Sequence, residues 1–562
     1  MGPNCSQSKF CNLQSSTKEK KKKLKWPSCK KIFPFLPYII FSLPPELTPH
    51  SPKSLPFSTM SPLFPTIAIL LLPLLLRFLY NQLYLPYLAS LRFSRQGITG
   101  PTRRLISGNA PDYRAVLSKA QSTPLPCIHH DVIDRVAPFF SQWMAQFGCP
   151  FVYWLGSLPR LVITDPDLVK TVLLDTTGLF RKRQGGNNPL ARQLIGEGLP
   201  GLDGSKWAHH RRIIAPAFNM ERVKAWIPEI AMTSSSMLDK WVLQGGVRTE
   251  FEIDVHREFL TFSADVISRV AFGSSYEEGK RVFELQDEQA CLVSIAMRSI
   301  YIPGFRFIPT KKNQMRRKIN KEIRDSLRKL IQANRTKCED SKNLLGLMLA
   351  ASKTDGQEMG IEEIIDECKA FYFAGKETTS NLLTWVVLLL ALHPEWQHKA
   401  REEVMGVCGK DRYPSGDDLA NLRTVSMILK ETLRLYPPAV FLNRIATKDT
   451  KLGKYDIPKG TQVQLPVIYL HHDTKIWGPD SHEFNPQRFA EGTSYHLGAY
   501  LPFGAGPAIC VGQNLANVEA KVALVMILQR FEFQVSPSYM HAPMMFMTLQ
   551  PQYGVQVLFH KI

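Results

Sequence analysis

The ten cysteines of this 562-residue chain include no Cys-x-x-Cys pair, and three of them lie within the first 59 residues. The remaining seven are an odd number without the spacing of metal ligands, which excludes a small disulfide scaffold. No internal repeat with a period of roughly 20–50 residues is visible, and such periods mark solenoids and propellers. The sequence therefore indicates one large body in a reducing compartment.

Acidic residues are fewer than basic ones, 49 against 69, so the formal net charge is +20. Ten Lys and two Glu give +8 to residues 1–59, which leaves +12 for the other 503 residues. A moderate excess spread over a large body fits a membrane surface or an acidic protein partner. We therefore expect no nucleic-acid partner.

The N-terminal region divides into a basic segment and an apolar one. Residues 1–59 are rich in Ser, Lys and Pro, whereas residues 62–76 carry no charge. About 20 apolar residues span a bilayer, so this apolar run predicts a single transmembrane anchor over residues 60–88, with a buried helix as the alternative. Arginines after the anchor favour a cytosolic body, but the lysines before it conflict with this orientation. We interpret residues 1–59 as an extension that is not translated, with a plastid-type transit peptide as the alternative.

The rest of the chain predicts a hinge over residues 89–105 and one large domain over residues 106–562, mainly α with small β-sheets. Apolar residues recur at three- and four-residue steps from Ile361 to Leu392, which predicts a long helix ended by His393 and Pro394. A second helix is predicted over Leu419–Leu435. Short β-like segments follow at Val463–Ile468 and Val555–Phe559.

The strongest functional signal is the glycine-rich loop Phe503-Gly504-Ala505-Gly506-Pro507-Ala508-Ile509-Cys510-Val511-Gly512. Glycines allow a tight loop whose backbone can approach a flat ligand. Cys510 stands at the start of an apolar helix, where the positive helix end should lower the pKa of its thiol. The alternative is a buried cysteine in a glycine turn. The segment resembles the haem-binding loop of the cytochrome P450 superfamily, which implies that Cys510 is the axial metal ligand of haem b and that Phe503, Gly504, Gly506 and Gly512 bind the cofactor.

Two further motifs extend the resemblance to the buried structure beneath the cofactor. Glu431 and Arg434 match the family's Glu-x-x-Arg, and side chains three residues apart on a helix can pair. Arg488, in Pro486-Gln487-Arg488-Phe489, matches the arginine that joins this pair. The resemblance implies that these three residues are structural.

Ala374-Gly375-Lys376-Glu377-Thr378-Thr379 resembles the family's oxygen-activation motif on a long helix. By this resemblance Ala374 and Gly375 form an oxygen pocket, and Gly375 leaves room for a diatomic ligand. Thr378 can return its hydroxyl to a carbonyl one turn back, and Glu377 completes an acid–alcohol proton relay. Lys376 occupies a variable position to which we assign no role.

Trp207 and Arg211 match the family's Trp-x-x-x-Arg, and Arg444 occupies a second position that binds a haem propionate. The planar fork of arginine suits a carboxylate. One departure from the family is Ala508, where an arginine that contacts a propionate normally stands. Four histidines, His209, His210, His471 and His472, lack consistent ligand partners, so we expect no metal on them.

The resemblance covers about residues 60–562 and is strongest to a plant clan of brassinosteroid, gibberellin, cytokinin and terpenoid hydroxylases. It implies a cytochrome P450 fold and an NADPH- and O₂-dependent monooxygenase that hydroxylates a small apolar molecule, a terpenoid or a steroid-like hormone or specialised metabolite. It further implies single-pass anchoring in the endoplasmic reticulum membrane and electrons from NADPH-cytochrome P450 reductase, which would dock near Lys206, Arg212, Arg222 and Lys224. Because of Ala508, the alternative is a non-catalytic or impaired haem- or ligand-binding membrane protein.

Overall fold

A computed structural model describes residues 63–182, 190, 192–298, 304–338, 343–351, 359–491 and 495–562. The chain divides into two units, of which the first is described over residues 63–85 and the second begins at Pro86. In the first unit the helix α1 (Leu63–Leu79) continues into a π-helical turn at Tyr80–Tyr84. Within the described ranges, no helix combines the length and the apolar character needed to cross a membrane. The anchor therefore stays a prediction, and residues 1–59 lie outside the described residues.

The rest of the chain is mainly helical, as the sequence predicts. The α-helices after α1 are α2 (Leu85–Ser94), α3 (Ala110–Ala120), α4 (Ile133–Val136), α5 (Pro138–Phe147), α6 (Pro166–Leu173), α7 (Arg192–Ile195), α8 (Gly204–Ile214), α9 (Met220–Ala225), α10 (Ile227–Gly245), α11 (Val255–Phe272), α12 (Tyr276–Met297), α13 (Lys311–Cys338), α14 (Leu344–Ala351), α15 (Ile361–Leu392), α16 (Pro394–Cys408), α17 (Gly416–Asn421), α18 (Arg423–Leu435), α19 (Val467–His472), α20 (Thr474–Trp477) and α21 (Gln513–Arg530).

The strands in the described ranges form four small sheets. They are β1 (Phe151–Leu155), β2 (Leu158–Val162), β3 (Phe180–Arg181), β4 (Glu250–Asp254), β5 (Leu442–Ala446), β6 (Thr450–Leu452), β7 (Tyr455–Ile457), β8 (Gln462–Leu465), β9 (Phe531–Val535), β10 (Pro543–Met545), β11 (Leu549–Pro551) and β12 (Gln556–Lys561). The largest sheet has the order β1-β2-β8-β5-β3, and only its β2–β8 pair is parallel. The others are β4-β12-β9, β10-β11 and β6-β7.

The helix α15 runs through the main core and coincides with the helix that the sequence predicts. Its first turn is capped because the Gly360 N–H donates to the Glu363 carboxylate at 3.0 Å. It ends at His393, and the next residue, Pro394, begins α16. Side chains are buried over residues 364–372 and 379–390 on every side, as expected of a helix enclosed by other elements.

The helix predicted over Leu419–Leu435 is broken at Leu422 into α17 and α18. Leu422 has φ −78° and ψ 87°, which is not helical. The carboxylate of Glu403, on α16, accepts hydrogen bonds from the N–H groups of Thr424 and Val425 at 2.7 and 3.0 Å. The start of α18 is thus capped by a distant residue, and no local pattern reveals such a cap.

The β-like segment predicted at Val463–Ile468 is a strand only to Leu465. Pro466 follows, which has no N–H to donate to a sheet, and α19 begins at Val467. The strand predicted at the C-terminus is present as β12, which pairs with both β4 and β9.

The segment predicted as a hinge, residues 89–105, is partly helical because α2 extends to Ser94. Phe93 and Ile98 are buried in the apolar cluster that surrounds the largest sheet. Arg92 also pairs with Asp449 at 2.7 Å. The compact body therefore begins before residue 106.

Candidate active site

The cysteine loop connects a tight turn to the start of α21. A 3₁₀ turn covers Gly506–Ala508, and the Cys510 N–H donates to the Phe503 carbonyl at 2.9 Å. Gly506 has φ +72°, and a Cβ there would lie 2.2 Å from the carbonyl oxygen of Leu173. Glycine is therefore required at this turn by both conformation and space.

Not every glycine of the loop is required in this way. Gly504 has φ +74° and the nearest atom to a Cβ there would be a Leu442 methyl at 3.8 Å, so only its conformation favours glycine. Gly512 has a negative φ of −89°, and no atom lies within 4 Å of the position of a Cβ. Phe503 is half-buried and packs against the main core.

Cys510 is an exposed residue whose thiol is nevertheless partly desolvated by the surrounding protein. Its enclosure raises the pKa of the thiol, although the Gly512 N–H and Arg211 both act to lower it. The expectation that the start of α21 lowers this pKa is therefore wrong in net sign, because desolvation outweighs the helix end. A bound metal ion would reverse this balance, since coordination deprotonates a thiol.

Trp207 and Arg211 lie four residues apart on α8, which places them on one face of the helix. The Arg211 guanidinium donates to the carbonyl of Ile509 at 2.9 Å and so reaches the cysteine loop directly. Arg444, on β5, is buried and donates to the carbonyl of Asn443 at 3.0 Å. Burial lowers the pKa of both arginines.

Lys182 joins this group, and sequence reasoning did not single it out. Its ammonium lies 5.1 Å from the centre of the Trp207 ring and donates to the Leu199 carbonyl at 3.0 Å. Burial lowers the pKa of Lys182 to about 8, and the charges of Arg444 and Arg211 add to this effect. Lys182 follows the two-residue strand β3, and no local pattern marks it. The side chains meet only because β3 pairs with β5, the strand of Arg444.

Lys182, Arg211 and Arg444, which we call the cation cluster, bind backbone carbonyls rather than acids. Among the described residues, none of the three has a carboxylate within ion-pair distance; Asp203 acts on Lys182 and Arg444, and Glu367 on Lys182, only from farther away. Three cations held together with so little negative charge are costly unless an anion completes the site. A ligand with carboxylate groups beside Cys510 would do so.

Glu431, Arg434 and Arg488 form a second charged group, which the protein completes by itself. Arg434 donates two hydrogen bonds of 2.8 Å to the Glu431 carboxylate, and both side chains are fully buried. Arg434 also donates to the carbonyls of His471 and Ser481, and Arg488 lies 3.6 Å from Glu431. We call Glu431, Arg434 and Arg488 the buried lock.

A single turn in the middle of α15 is more accessible than the rest of that helix. Residues 373–375, 377 and 378 are half-buried, whereas the turns before and after them are buried. The Thr378 hydroxyl donates to the Ala374 carbonyl at 2.7 Å, one turn back as anticipated. The turn that carries Glu377 and Thr378 is therefore the most accessible part of the buried stretch of α15.

The Cα hydrogen of Gly375 that stands in place of a side chain does not point towards free space. A Cβ at this position would lie 2.7 Å from the Ile267 side chain on α11. The glycine therefore permits close packing of α11 against α15, and its assignment to an oxygen pocket stays a prediction. Ala374 contributes its carbonyl to Thr378 and is half-buried.

The residues present fit a planar, acidic metal cofactor. Cys510 offers a sulfur ligand, Arg211 links its loop to the cation cluster, and the cluster lacks an anion. Ala508 ends the 3₁₀ turn of the loop and brings no charge. The fold and the site together define a mainly helical protein that could hold a haem through a cysteine and its propionates through cations.

Comparison with known proteins gives the family. The Cytochrome P450 family model matches residues 123–559. Cytochrome P450 734A6 of Oryza sativa subsp. japonica is 46% identical over 490 residues, which cover 83% of this chain and 90% of that protein. Cytochrome P450 734A1 of Arabidopsis thaliana is 44% identical over 483 residues, covering 84% and 91%. Secologanin synthase 1 of Catharanthus roseus is 42% identical over 486 residues, covering 84% and 92%.

The chain belongs to the cytochrome P450 family and is a monooxygenase that resembles plant members. Membership implies a cysteine-ligated haem iron, O₂, a small-molecule substrate and a redox partner that supplies electrons.

Proposed function

We propose that this protein is an NADPH- and O₂-dependent monooxygenase that hydroxylates a small apolar molecule above a haem held by Cys510. The observation that carries the proposal is the cation cluster without an acid, joined by Arg211 to the loop of the cysteine. Cys510 would ligate the iron, and Trp207, Arg211, Arg444 and Lys182 would hold the propionates. A thiolate-ligated haem supplies O–O bond cleavage and C–H oxidation.

The protein's own contribution to the reaction is proton handling at α15. Thr378 holds its hydroxyl against the Ala374 carbonyl and can turn it towards a reacting oxygen. Burial raises the pKa of Glu377, although Lys376 acts to lower it, and the raised pKa favours the protonated carboxyl. An acid that is protonated at the working pH can serve as a general acid.

The side chains that would face the substrate, next to the accessible turn of α15, are apolar. A small cluster of buried side chains, Leu194, Ala290 and Val293, lies apart from the main core, and the half-buried Phe373 and Phe546 pack against it. Phe373 directly precedes the accessible turn of α15, so an apolar molecule at that turn would contact this wall. The resemblance to plant hydroxylases supports a terpenoid or steroid-like hormone or specialised metabolite as substrate.

The electrons would come from NADPH through a membrane-bound reductase. Of the four cations expected at its docking face, Lys206 already pairs with Glu363 at 2.7 Å and Lys224 lies 3.6 Å from Asp417. All four side chains keep exposed or half-exposed positions, which suits steering of an acidic partner more than tight binding. We propose that the protein works at the endoplasmic reticulum membrane with its catalytic body in the cytosol.

The second candidate is a haem- or ligand-binding protein without catalysis, and the observation that favours it is Ala508. One charge-assisted hydrogen bond to a propionate, worth about 1.5–3 kcal/mol, is missing at this position. The three cations and Trp207 that are present favour retention of the haem and hence the enzymatic function.

Cys510→Ser tests the proposed ligand. We expect the purified wild-type protein, reduced under carbon monoxide, to show the red-shifted Soret band of a thiolate-ligated haem, and the variant to lose it. Cys408→Ser is the matched control, because Cys408, on α16, is buried in the core and is far from Cys510 in the sequence. Survival of the shifted band in Cys510→Ser would mean that another residue binds the iron. NADPH oxidation with reductase and candidate lipids then separates turnover from binding alone.

A further inference from the structure

Lys376 is a buried lysine in the accessible turn of α15, only 6% exposed. Its Nζ lies 2.5 Å from Oδ1 of Asp287 on α12 and 3.7 Å from Oε1 of its neighbour Glu377. The ammonium also lies 5.9 Å from the centre of the Phe283 ring. The Lys376 ammonium therefore faces two carboxyl groups, and it is hydrogen-bonded to that of Asp287.

The two carboxyl groups differ in their access to water. The side chain of Asp287 is 58% exposed, whereas those of Lys376 and Glu377 are 8% and 12% exposed. Asp287 can stay ionised because water solvates it. Glu377 has no such support, so ionisation of its carboxyl requires a nearby positive charge.

The other titratable groups around the pair are neutral near pH 7. They are His256 on α11 and Tyr276 on α12. Burial lowers the pKa of His256 to about 4 and raises the pKa of Tyr276. Asp287 and Lys376 are thus the charges that act on Glu377 from α12 and α15.

The effects of these charges on Glu377 oppose each other. Burial raises the pKa of Glu377, Lys376 acts to lower it, and Asp287 acts to raise it. Burial also acts to lower the pKa of Lys376, but Glu377 and Asp287 outweigh it and the net shift is upwards. Lys376 therefore stays charged, and which carboxyl it binds decides the charge of Glu377.

We propose that Asp287 is a positioning residue that holds the Lys376 ammonium in its own hydrogen bond, so that Glu377 keeps only a longer contact of 3.7 Å with it and its carboxyl stays protonated. The proton then leaves Glu377 for the reacting oxygen beside Thr378, and a carboxylate remains. Lys376 stabilises that carboxylate until a proton from water restores the acid. The destination of the proton rests on the proposed function, but the charge of Glu377 does not.

A merely structural link between α12 and α15 makes a different prediction. In that case loss of either partner would weaken the same contact, and loss of both would not restore anything. In the proposed arrangement the two single variants act on Glu377 in opposite directions. Asp287→Asn removes the carboxylate that competes for Lys376 and lets the Lys376–Glu377 contact shorten from 3.7 Å, whereas Lys376→Gln removes the charge that stabilises the ionised form of Glu377.

The test follows the carbonyl stretch of the protonated Glu377 carboxyl by infrared difference spectroscopy of the full chain as purified, with the band assigned by its loss in Glu377→Gln. We expect Asp287→Asn to lower the apparent pKa of this band, because it removes a negative charge near Glu377 and leaves Lys376 free to shorten its contact with Glu377. Lys376→Gln should raise it, and the double variant should return it above the value in Asp287→Asn. Shifts of both single variants in the same direction, or none, would overturn the proposal.

A second measurement follows the fate of O₂ with reductase and NADPH. Asp287→Asn should increase the share of hydrogen peroxide among the reduction products severalfold, and adding Lys376→Gln should reduce that share again. Asp325→Asn is the matched control, because Asp325 is also a surface acid paired with a cation, Arg328, at 3.0 Å. Absence of the shifted carbon monoxide band in the wild type would defeat the proposed function and leave the infrared test of Glu377 intact.

Discussion

The buried lock and the cation cluster both place arginine inside the protein, but they treat its charge differently. In the lock, Arg434 donates two hydrogen bonds to Glu431 and further ones to backbone carbonyls. In the cluster, Arg444 and Arg211 donate to backbone carbonyls alone, with Lys182 beside them.

This difference separates structure from function. A buried charge that its own chain neutralises stabilises a fixed arrangement, whereas one left without an acid is a cost to the folded chain. Such a cost is recovered when a ligand supplies the missing charge. The lock should therefore matter with or without haem, and the cluster should matter through haem.

The largest expected effect is loss of the lock through Glu431→Gln. The variant leaves Arg434 without a counter-charge in a fully buried site, which costs about 3–5 kcal/mol, a large part of the roughly 5–15 kcal/mol that stabilises a domain. We expect a failure to accumulate folded protein, or a large fall in Tm in the haem-free and haem-bound forms alike.

Glu491→Gln is the matched control, because Glu491 pairs with Arg423 at 3.1 Å but both side chains are about three-quarters exposed. Removing an exposed pair should cost at most about 1 kcal/mol. If the two variants were equally stable, the lock would not be a source of stability and the comparison would fail.

A smaller effect, confined to the holoprotein, is expected from Arg444→Gln. Loss of one charge-assisted hydrogen bond, worth about 1.5–3 kcal/mol, should speed haem loss about tenfold or more. Transfer of haem to apomyoglobin, followed by absorbance, measures this rate. The Tm of the haem-free form should not fall, because the variant removes a buried cation that lacks an acid.

Ala508→Arg supplies the opposite control, since it adds the cation that the cysteine loop lacks. Haem loss should slow in this variant and should also slow when it is combined with Arg444→Gln. An equal fall in the Tm of both forms of Arg444→Gln would show instead that the cluster is structural.

The smallest effects concern pH, where the two regions should respond at opposite ends of the scale. Burial and the charge of Arg434 lower the pKa of His471, beside the lock, to about 3. The unfolded chain takes up this proton near pH 6.5, so His471 contributes stability that is lost as the pH falls from about 6.5 to about 3. The lowered pKa of Lys182, about 8, has an effect of the same sign at higher pH: stability of the haem-free protein rises from about pH 8 towards 10.5.

Urea unfolding across these ranges measures both slopes. His471→Gln should reduce the acid slope without abolishing it, because burial also lowers the pKa of His541 to about 3. Lys182→Met should reduce the alkaline slope, and bound haem should mask that change. If neither variant changed the slope of stability against pH, the lowered pKa values assigned to His471 and Lys182 would be contradicted.

Much of the fold and the site could be predicted from local patterns. The helix α15 was predicted from Ile361 to Leu392 because its apolar positions recur at helical steps and a proline follows it. The break at Leu422 could not be predicted, because its cap comes from Glu403 on another helix. The end of strand β8 before Pro466 could have been predicted from the sequence, since proline has no N–H to donate to a sheet.

The sequence by itself determined the residues that neighbours in the chain can define: the glycine turn before Cys510, the Glu431–Arg434 spacing on one helix face, and the Thr378 hydroxyl one turn from Ala374. The tertiary structure alone decided that Lys182 joins Arg444, that Asp287 reaches Lys376, and that burial raises the pKa of Cys510. The physical reason is that desolvation and charge–charge interactions depend on which distant segments pack together, and a local pattern holds no record of that packing.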